Sequence, residues 1–323
     1  MLWPLPMRLA ERTTTIEPLT SSATFAVFGA PPPALVAVPA DAVQLSPMRP
    51  GSAALEDCEA GQFAALAMLA PPGTVERRYT LALGLRAVEP GGMFTALAPK
   101  DRGGSRLKKE LEAFGCALYE TVKSHHRICA LKRPAVITGL SEAVAAGAPR
   151  TIEPFGLTSQ PGVFSWDRID PGTALLARTL PTLSGKGADL GAGIGYLARA
   201  VLAAPSVQHI ALIDLDRRAV DAARLNVIDP RAEILWADVT NADAPLSGLD
   251  FVVTNPPFHD GGSEDRRLGQ AFIRRAAAAL RKGGALWLVA NRHLPYETVL
   301  ADLFTTVEVK AEQSGYKVFE ARK

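Results

Sequence analysis

The stretch Asp189-Leu190-Gly191-Ala192-Gly193-Ile194-Gly195 decides the fold, because it joins a predicted strand to a predicted helix through closely spaced glycines. Glycine lets the backbone turn tightly and approach a bound ligand closely. The dinucleotide-binding fingerprint requires Gly-x-Gly-x-x-Gly, and Tyr196 stands at the position of its third glycine. The loop is preceded instead by an acid, Asp189. A carboxylate at this place suits a ligand with an ammonium group better than a pyrophosphate.

Strand and helix patterns alternate through residues 151–323 and predict an α/β fold around this loop. The predicted strands cover residues 187–190, 209–214, 232–236, 249–254, 285–290, 306–310 and 317–321, and the predicted helices cover 196–204, 216–227, 264–280 and 295–304. Asp216 is predicted to cap the second helix, and Lys282-Gly283-Gly284 to end the third. Strands that alternate with helices of this length predict a seven-stranded, mostly parallel sheet covered on both faces.

The first half of the chain repeats part of this plan. Gly91-Gly92-Met93-Phe94 resembles Gly283-Gly284-Ala285-Leu286, and Ser124-His125-His126-Arg127 resembles Ser314-Gly315-Tyr316-Lys317. The second glycine and the serine are 32 positions apart in one copy and 30 in the other. We predict tandem Rossmann-like folds, although two strand-helix-strand segments could also be alike by chance. Residues 20–60 contain neither Asp-x-Gly-x-Gly nor Asn-Pro-Pro, so the N-terminal copy is predicted to be degenerate.

Two further acids follow the next predicted strands. Asp214 lies 25 positions after Asp189, at the end of the second strand, where a carboxylate can accept hydrogen bonds from both ribose hydroxyls. Asp238 follows the third strand and could accept from an adenine amine. Three acids at successive strand ends fit a positively charged adenosyl ligand, S-adenosylmethionine. The alternative is that Asp216 or Asp238 only caps a helix.

The tetrad Asn255-Pro256-Pro257-Phe258 directly follows the fourth predicted strand, about 60 positions beyond the glycine loop. The prolines fix the backbone and remove N–H donors, which leaves the Asn255 side-chain oxygen and the Pro256 carbonyl as directed acceptors. Two acceptors can hold both hydrogens of a planar amine and direct its lone pair at an electrophilic methyl group. Phe258 offers a face on which a base could stack. The pattern predicts methylation of an exocyclic amine; the alternative is a proline-rich turn with a core phenylalanine.

The combination of these motifs resembles the bacterial ribosomal RNA small-subunit guanine-N2 methyltransferases, a class I family built on the methyltransferase small domain. The stretches that carry the resemblance are Pro161-Gly162-Val163-Phe164-Ser165 with Asp170 and Gly172, the glycine loop, Asn255-Pro256-Pro257-Phe258-His259-Asp260-Gly261, Val289-Ala290-Asn291, Leu294-Pro295-Tyr296 and Gly315-Tyr316-Lys317-Val318. The similarity covers residues 155–323 well and residues 60–133 more faintly. It implies S-adenosylmethionine-dependent N2-methylation of a guanine in ribosomal RNA, with 16S small-subunit RNA as the expected substrate.

The resemblance also implies roles for individual residues. The predicted catalytic residues are Asn255, Pro256, Pro257 and Phe258. The predicted cofactor-binding residues are Asp189, Gly191, Ala192, Gly193, Gly195, Asp214, Leu215, Asp238, Val239 and Asn255. Residues 1–150 would form a degenerate methyltransferase-like domain that serves the fold and RNA docking, and residues 151–323 the catalytic domain.

Basic, histidine and cysteine residues outside these motifs bear on RNA contact and metal binding. Residues 100–109 hold five basic side chains and one acid, and Arg266-Arg267 and Arg274-Arg275 follow the tetrad; each group could contact RNA phosphates or simply face solvent. His125, His126 and Cys129 resemble a partial metal set, but their place in the repeat favours strand residues. Three scattered cysteines are too few for a zinc site, so no metal is predicted.

Composition limits the remaining function classes. A net charge of +2 gives no strongly basic global field, so any RNA contact must come from local patches. No stretch of about 20 apolar residues exists, and the N-terminus lacks the apolar segment of a signal peptide. We expect a cytoplasmic monomer that contacts ribosomal RNA or a ribosomal subunit, with no membrane. The alternatives are methylation of another RNA amine, a large-subunit guanine or a protein glutamine, and a non-catalytic RNA-binding protein.

Overall fold

The computed structural model describes residues 25–153, 155–241, 246–257 and 263–323, without the side chains of residues 263–266. In this part of the chain two large β-sheets are joined by a segment that contains a two-stranded hairpin. None of the described helices is both long enough and apolar enough to cross a membrane.

The N-terminal sheet and the helices of its half pack around one apolar core. Its strands are β1 (Phe25–Phe28), β2 (Val43–Gln44), β3 (Phe63–Leu69), β4 (Val88–Pro99), β5 (Leu118–Lys123) and β6 (His126–Lys132), and the helices of this half are α1 (Thr74–Ala87), α2 (Ser105–Ala113) and α3 (Leu140–Gly147). The described strands lie in the order β2-β1-β3-β4-β6-β5, and β6 runs against its neighbours. Their core is apolar, with Phe63, Phe94 and Phe114 at most 1% exposed.

The C-terminal sheet follows the alternation predicted from the sequence. Its strands are β9 (Gly185–Leu190), β10 (Val207–Asp214), β11 (Ala232–Trp236), β12 (Leu249–Thr254), β13 (Leu280–Asn291), β14 (Thr306–Gln313) and β15 (Tyr316–Arg322), and its helices are α5 (Tyr196–Leu202), α6 (Arg217–Asn226), α7 (Ser263–Ala279) and α8 (Glu297–Leu303). Among the described residues the strand order is β11-β10-β9-β12-β13-β15-β14. β15 is the antiparallel strand, which confirms the prediction of a seven-stranded, mostly parallel sheet.

One local prediction is wrong. The pair Gly283-Gly284 does not end a helix, because α7 has ended at Ala279 and the glycines lie within strand β13. Their backbone pairs with the C-terminal residue: Gly283 N donates to Lys323 O at 2.8 Å, and Lys323 N donates to Gly284 O at 3.1 Å. A Cβ on Gly284 would lie 2.8 Å from Leu249 O, so close strand approach requires the glycine.

The two sheets share one topology, which confirms the predicted duplication. When β11 is omitted, the C-terminal strands follow the same order and directions as the six N-terminal strands described. Equivalent hydrogen bonds recur, since Gly91 N donates to Arg133 O at 2.8 Å just as Gly283 N donates to Lys323 O. The antiparallel pairs of β4 with β6 and of β13 with β15 also agree with the sequence repeat, with Met93 opposite Lys132 and Ala285 opposite Arg322.

Strand register identifies what stands in the N-terminal sheet at the three positions of predicted ligand residues. Counted from Met93 and Ala285 in these equivalent strand pairs, Val27 takes the place of Asp189, Ser46 that of Asp214, and Leu69 that of Asn255. The turn after the second strand is kept although a hydroxyl replaces the carboxylate. Met48 N donates to the Ser46 hydroxyl at 3.2 Å, as Asp216 N donates to the Asp214 carboxylate. The N-terminal copy therefore has the framework of a nucleotide site without its acids.

A buried arginine fills the corresponding edge of the N-terminal sheet. Arg77 is completely buried and makes a bidentate pair with Glu110, at 2.6 and 2.7 Å. Its remaining nitrogen donates to the Pro72 carbonyl at 2.7 Å and to the Pro71 carbonyl at 3.2 Å. These prolines follow β3 where the tetrad follows β12, so a structural ion pair occupies the place equivalent to the predicted substrate site.

The segment between the sheets contacts both halves of the chain, and on the N-terminal side Gln160 Nε2 donates to the Gly147 carbonyl of α3 at 3.0 Å. It contains β7 (Arg150–Ile152), β8 (Leu157–Ser159) and α4 (Pro171–Thr179), and the predicted boundary at residues 150 and 151 lies within β7. Thr158 exchanges two hydrogen bonds with the Asn226 side chain of α6, at 2.7 and 2.9 Å. Across the two halves, Arg217 pairs with Glu56 at 2.8 Å.

Candidate active site

The glycine loop leaves β9 and enters α5 with three left-handed residues. Gly191, Gly193 and Gly195 have φ angles of 70°, 54° and 85°. The loop is tied to the neighbouring strand, because Ile213 O accepts from the N–H groups of Gly191 at 2.9 Å and Ala192 at 3.1 Å. A Cβ on Gly195 would meet Val227 at 2.6 Å, whereas nothing lies within 4 Å of one on Gly193. Gly195 thus serves packing, while Gly193 leaves open space for a ligand.

Asp189 lies beneath this loop as a fully buried carboxylate. No hydrogen bond of ordinary geometry reaches either oxygen from the described residues. Burial and the nearby Asp214 raise the pKa of Asp189 to about 8, against the opposing influence of the Ala198 backbone N–H. The side chain is not exposed to the cleft described below. Asp189 can therefore act on a ligand ammonium through its charge, not through contact with the cleft surface.

Asp214 connects the loop to the end of β10. Its Oδ2 accepts from Gly193 N at 2.7 Å, and its Oδ1 accepts from Asp216 N at 2.8 Å. Burial raises the pKa of Asp214 to about 6, although these two N–H groups lower it. A carboxylate has about four acceptor positions, so the oxygens retain capacity for hydroxyl donors.

The remaining predicted cofactor residues lie next to Asp214 along the same edge. Leu215 is half-buried and its carbonyl accepts from Trp236 Nε1 at 2.8 Å; Val239 is buried. Asp238 Oδ1 accepts from the backbone and the hydroxyl of Thr240, at 2.8 and 2.6 Å. One Asp238 oxygen thus holds a local turn. Asp216 accepts from Arg218 N at 3.0 Å and caps α6, as predicted.

Asn255 has a fixed orientation at the end of β12. Its Nδ2 donates to Asp170 Oδ2 at 3.0 Å and to Thr173 Oγ1 at 2.7 Å. Because an ionised carboxylate only accepts, these contacts assign the nitrogen and the oxygen of the amide. Asn255 Oδ1 is buried and has no hydrogen-bond partner among the described residues. It is an acceptor prepared for a donor that a ligand would bring.

One cleft brings the glycine loop and Asn255 together. It is lined by Phe164, Ser165, Arg168, Ile169, Asp170, Thr173, Gly191, Ala192, Gly193, Ile194, Tyr196, Leu197 and Asn255. The structure thus unites part of the predicted cofactor set with the first tetrad residue, while Asp214 and Asp238 lie beside the cleft. Pro256 is buried and Pro257 half-buried, and Phe258 with His259-Asp260-Gly261 lies outside the described residues.

Asp170 and Thr173 were not among the predicted site residues. Asp170 caps α4, accepting from Thr173 N at 2.8 Å and from Thr173 Oγ1 at 3.2 Å. Its contact with Asn255 joins positions 85 residues apart, which no local pattern reveals. The sequence signal that could have identified Asp170 is Asp170-Pro171, an N-cap residue followed by proline at the first helical position.

Of the basic, histidine and cysteine residues singled out in the sequence, none of those described lines this cleft. The five basic side chains between residues 100 and 109 are exposed, as are Arg267 and Arg274, while the side chain of Arg266 is not described. His125 is exposed in a turn and Cys129 is buried in β6. In the described ranges no group of three or more His, Cys, Asp or Glu residues could hold a metal ion.

Comparison of this chain with known proteins shows similarity to one family of methyltransferases. The model of the methyltransferase small domain matches residues 154–320. A ribosomal RNA small subunit methyltransferase C of Shewanella loihica is 31% identical over 273 residues, covering 81% of this chain and 78% of that protein. The protein of the same name from Pseudomonas entomophila is 32% identical and covers 70% and 69%. A third, from Shewanella piezotolerans, is 37% identical over 161 residues, with 46% of its length covered.

A solved structure shares the whole architecture. The Thermus thermophilus 16S rRNA N2 G1207 methyltransferase, in complex with AdoMet and guanosine, is 25% identical and has a TM-score of 0.73. The match covers 96% of this chain and 90% of that one, so it includes both sheets.

Proposed function

The chain belongs to the bacterial ribosomal RNA small-subunit methyltransferases built on the methyltransferase small domain, and we propose that it transfers the methyl group of S-adenosylmethionine to N2 of a guanine in 16S ribosomal RNA. The related Thermus enzyme acts on a guanine at N2 and binds AdoMet and guanosine. The observation that carries the proposal for this chain is the Asn255 side chain, held by Asp170 and Thr173 with its oxygen unpartnered among the described residues.

The residues present fit the proposed cofactor. The glycine loop offers open space at Gly193, where a Cβ would otherwise stand, and Asp214 lies beside it to accept from ribose hydroxyls. Asp214 and Asp238 place carboxyl groups on one sheet edge, and a ligand with sulfonium and ammonium groups would favour the ionised form of the buried Asp189. When bound, S-adenosylmethionine would supply an electrophilic methyl group.

Asn255 would position the nucleophile. Its Oδ1 accepts one hydrogen of the guanine N2 amine, and we assign the second acceptor to the Pro256 carbonyl. An amine held at both hydrogens keeps its lone pair directed along one line, and positioning of this kind is a large part of catalysis. Neither acceptor is a base. The transferred methyl group would exchange its bond to sulfur for a bond to nitrogen and leave S-adenosylhomocysteine. The proton would then leave the cationic, acidic nitrogen for water.

We assign the N-terminal half, residues 1–150, to support of the fold and to RNA docking. Its sheet has lost the ligand acids, with Val27, Ser46 and Leu69 at the three equivalent positions. The exposed basic side chains of residues 100–109 supply positive charge for phosphate contact. We further propose that the enzyme works as a cytoplasmic monomer, with the base stacked on Phe258.

A transfer assay with product identification tests the proposal. Purified protein is incubated with methyl-labelled S-adenosylmethionine and either unmodified 16S RNA or small subunits, and the RNA is digested to nucleosides. We expect label in N2-methylguanosine, and none when Asn255→Ala replaces the wild type. Label in another nucleoside would redirect the substrate assignment. Label in a protein glutamine, or cofactor binding without any transfer, would refute the proposed function.

A further inference from the structure

A chain of buried polar contacts links the N-terminal half to the ribose-binding position. Arg218 Nη1 donates to Glu76 Oε1 at 2.7 Å, which joins α6 to α1 of the other sheet. The same guanidinium forms a fork with Asp216, with Nε to Oδ1 at 2.9 Å and Nη2 to Oδ2 at 2.8 Å. Asp216 N then donates to Asp214 Oδ1 at 2.8 Å. We call Glu76, Arg218, Asp216 and Asp214 the relay.

Burial makes the relay sensitive to the loss of any member. Arg218 and Asp216 are 9% and 8% exposed, and the Glu76 side chain is 14% exposed. Two carboxylates, Glu76 and Asp216, share the Arg218 guanidinium, so a missing partner leaves charge uncompensated in a poorly solvated place. Burial raises the pKa of Glu76 while Arg218 lowers it, as expected for a carboxylate whose main compensation is this pair.

The backbone of the segment between the sheets, here called the linker, lies against the same guanidinium. Gly162 O accepts from Arg218 Nη2 at 3.4 Å, and Gly162 adopts a φ of 106°. A Cβ on Gly162 would lie 2.4 Å from Arg218 Nη1 and 2.5 Å from Glu76 Cδ. The linker therefore needs glycine here because the ion pair lies directly against the backbone. Arg218 is held by α1, by the linker and by the cap of α6 together.

We propose that Glu76 and Arg218 are positioning residues for the cofactor: through Asp216 they hold the Asp214 carboxylate where it accepts from the ribose hydroxyls, so that the N-terminal half completes the cofactor site. This inference rests on the proposed function, since it assumes that Asp214 binds the ribose. It assigns the N-terminal half a role in cofactor affinity in addition to RNA docking. Arg218 is the single cation through which this half reaches the site along the described relay.

The chain offers a matched control across the same boundary. Arg217 pairs with Glu56 at 2.8 Å, with the arginine side chain 16% exposed and the glutamate 30% exposed. This pair also joins the two halves, but its other side-chain contact is Asp221 on the surface of α6, away from Asp214. Glu56→Gln therefore removes an interhalf ion pair without touching the relay.

The test measures binding of S-adenosylhomocysteine and of its 2′,3′-dideoxy analogue by calorimetry, in the wild type, Glu76→Gln and Glu56→Gln. Glutamine keeps the size of the side chain and one acceptor, and thermal unfolding checks that each variant is folded. We expect Glu76→Gln to weaken S-adenosylhomocysteine binding about fivefold to tenfold, the scale of one coupled interaction. The affinity for the dideoxy analogue should differ little between the wild type and Glu76→Gln, because this analogue has no ribose hydroxyls to donate to Asp214. Glu56→Gln should leave both affinities unchanged.

Arg218→Lys provides a second variant that keeps the charge and loses the fork. It should raise the KM for S-adenosylmethionine with little change in kcat or in the KM for RNA. Equal affinity of wild type and Glu76→Gln, an equal loss with the dideoxy analogue, or an equal loss in Glu56→Gln would overturn the relay. A wild type that binds no S-adenosylhomocysteine would instead refute the proposed function, so the two failures are distinct.

Discussion

Asp170 Oδ2 lies 3.0 Å from Asn255 Nδ2, a contact between the cap of α4 and the end of β12. This single contact decides which way the Asn255 amide faces. The amide nitrogen is used inside the protein, and the oxygen is the atom left to accept from a substrate. Thr173 Oγ1, at 2.7 Å from the same nitrogen, reinforces the orientation.

Replacing Asp170 by asparagine should separate this orienting role from the helix cap. Asparagine caps helices as well as aspartate does, so stability should change little. A second amide opposite Asn255 no longer dictates its orientation, and misdirection of a reacting group can cost about 100-fold. We expect kcat for RNA methylation to fall about 10-fold to 100-fold, with a smaller change in cofactor affinity, in steady-state kinetics.

Asp250→Asn is the control for this variant. Asp250 accepts from Lys186 N and from Arg281, both at 2.7 Å, at the end of β12 remote from Asn255. The control should lower thermal stability and leave kcat unchanged. If Asp170→Asn retains wild-type kcat, the orienting role of Asp170 is wrong.

Cofactor binding should depend on pH through Asp189 and Asp214. Both carboxyls have folded-state pKa values above the usual 3.8, about 8 and about 6. Their contribution to the stability of the ligand-free protein is therefore greatest at low pH, and it is lost as pH rises from about 4 to about 6 for Asp214 and to about 8 for Asp189. A cationic ligand binds the ionised forms of these carboxyls preferentially, so the affinity for it should increase as pH rises.

We expect the Kd for S-adenosylmethionine to be about tenfold higher at pH 6 than at pH 8, with protons released on binding. Calorimetry in two buffers of different ionisation enthalpy measures both quantities. Asp189→Asn should bind more weakly at pH 8 and lose most of the pH dependence. A Kd that is constant between pH 6 and 8 in the wild type would contradict the electrostatic role of these acids.

Gly193 and Gly248 form a matched pair that tests the open space in the loop. They have φ angles of 54° and 68°, and a Cβ on either would have no heavy atom within 4 Å. Alanine at each should cost a similar backbone strain of about 1–2 kcal/mol in unfolding free energy. Only Gly193→Ala should weaken S-adenosylmethionine binding, because its methyl group enters the ligand space. Equal cofactor affinity of the two variants would show that the ligand lies elsewhere.

Arg77 should matter for stability and not for chemistry. Arg77→Met leaves Glu110 in place without its buried partner, and breaking a pair of this kind costs about 3–5 kcal/mol. Denaturant unfolding should show this loss, while kcat per folded molecule stays at the wild-type value. The neighbouring exposed arginine gives the control, since Arg78→Met should be nearly neutral. A selective loss of kcat in Arg77→Met would argue against a purely structural role for the N-terminal edge.

Much of the C-terminal fold could be predicted from the sequence, because its signals are local. Strands β11 and β12 have the predicted bounds, and the loop and tetrad follow predicted strands. The repeat was visible because glycines and turn residues recur at nearly constant spacing. The substitutions of Asp189, Asp214 and Asn255 by Val27, Ser46 and Leu69 could be identified only once strand register was available.

The sequence could not reveal contacts that depend on tertiary packing. Asp170 accepts a hydrogen bond from Asn255, and Glu76 accepts one from Arg218, which lies 142 positions later in the chain. Both contacts depend on how whole helices and strands pack together. The sequence likewise predicted Asp189 as a residue beside the cofactor, but its complete burial depends on tertiary packing around β9. The prediction that Gly283-Gly284 ends a helix was wrong because glycine pairs are found both at helix ends and where strands approach closely.

The central claim is that Asn255 directs methyl transfer to a guanine amine of 16S ribosomal RNA. The most direct measurement maps N2-methylguanosine in 16S RNA from cells that lack this protein, complemented with the wild type or with Asn255→Ala. We predict that one guanine loses its N2-methyl group in the deletion, regains it with the wild type and stays unmodified with Asn255→Ala. Unchanged N2-methylguanosine in the deletion, or full restoration by Asn255→Ala, would contradict the account.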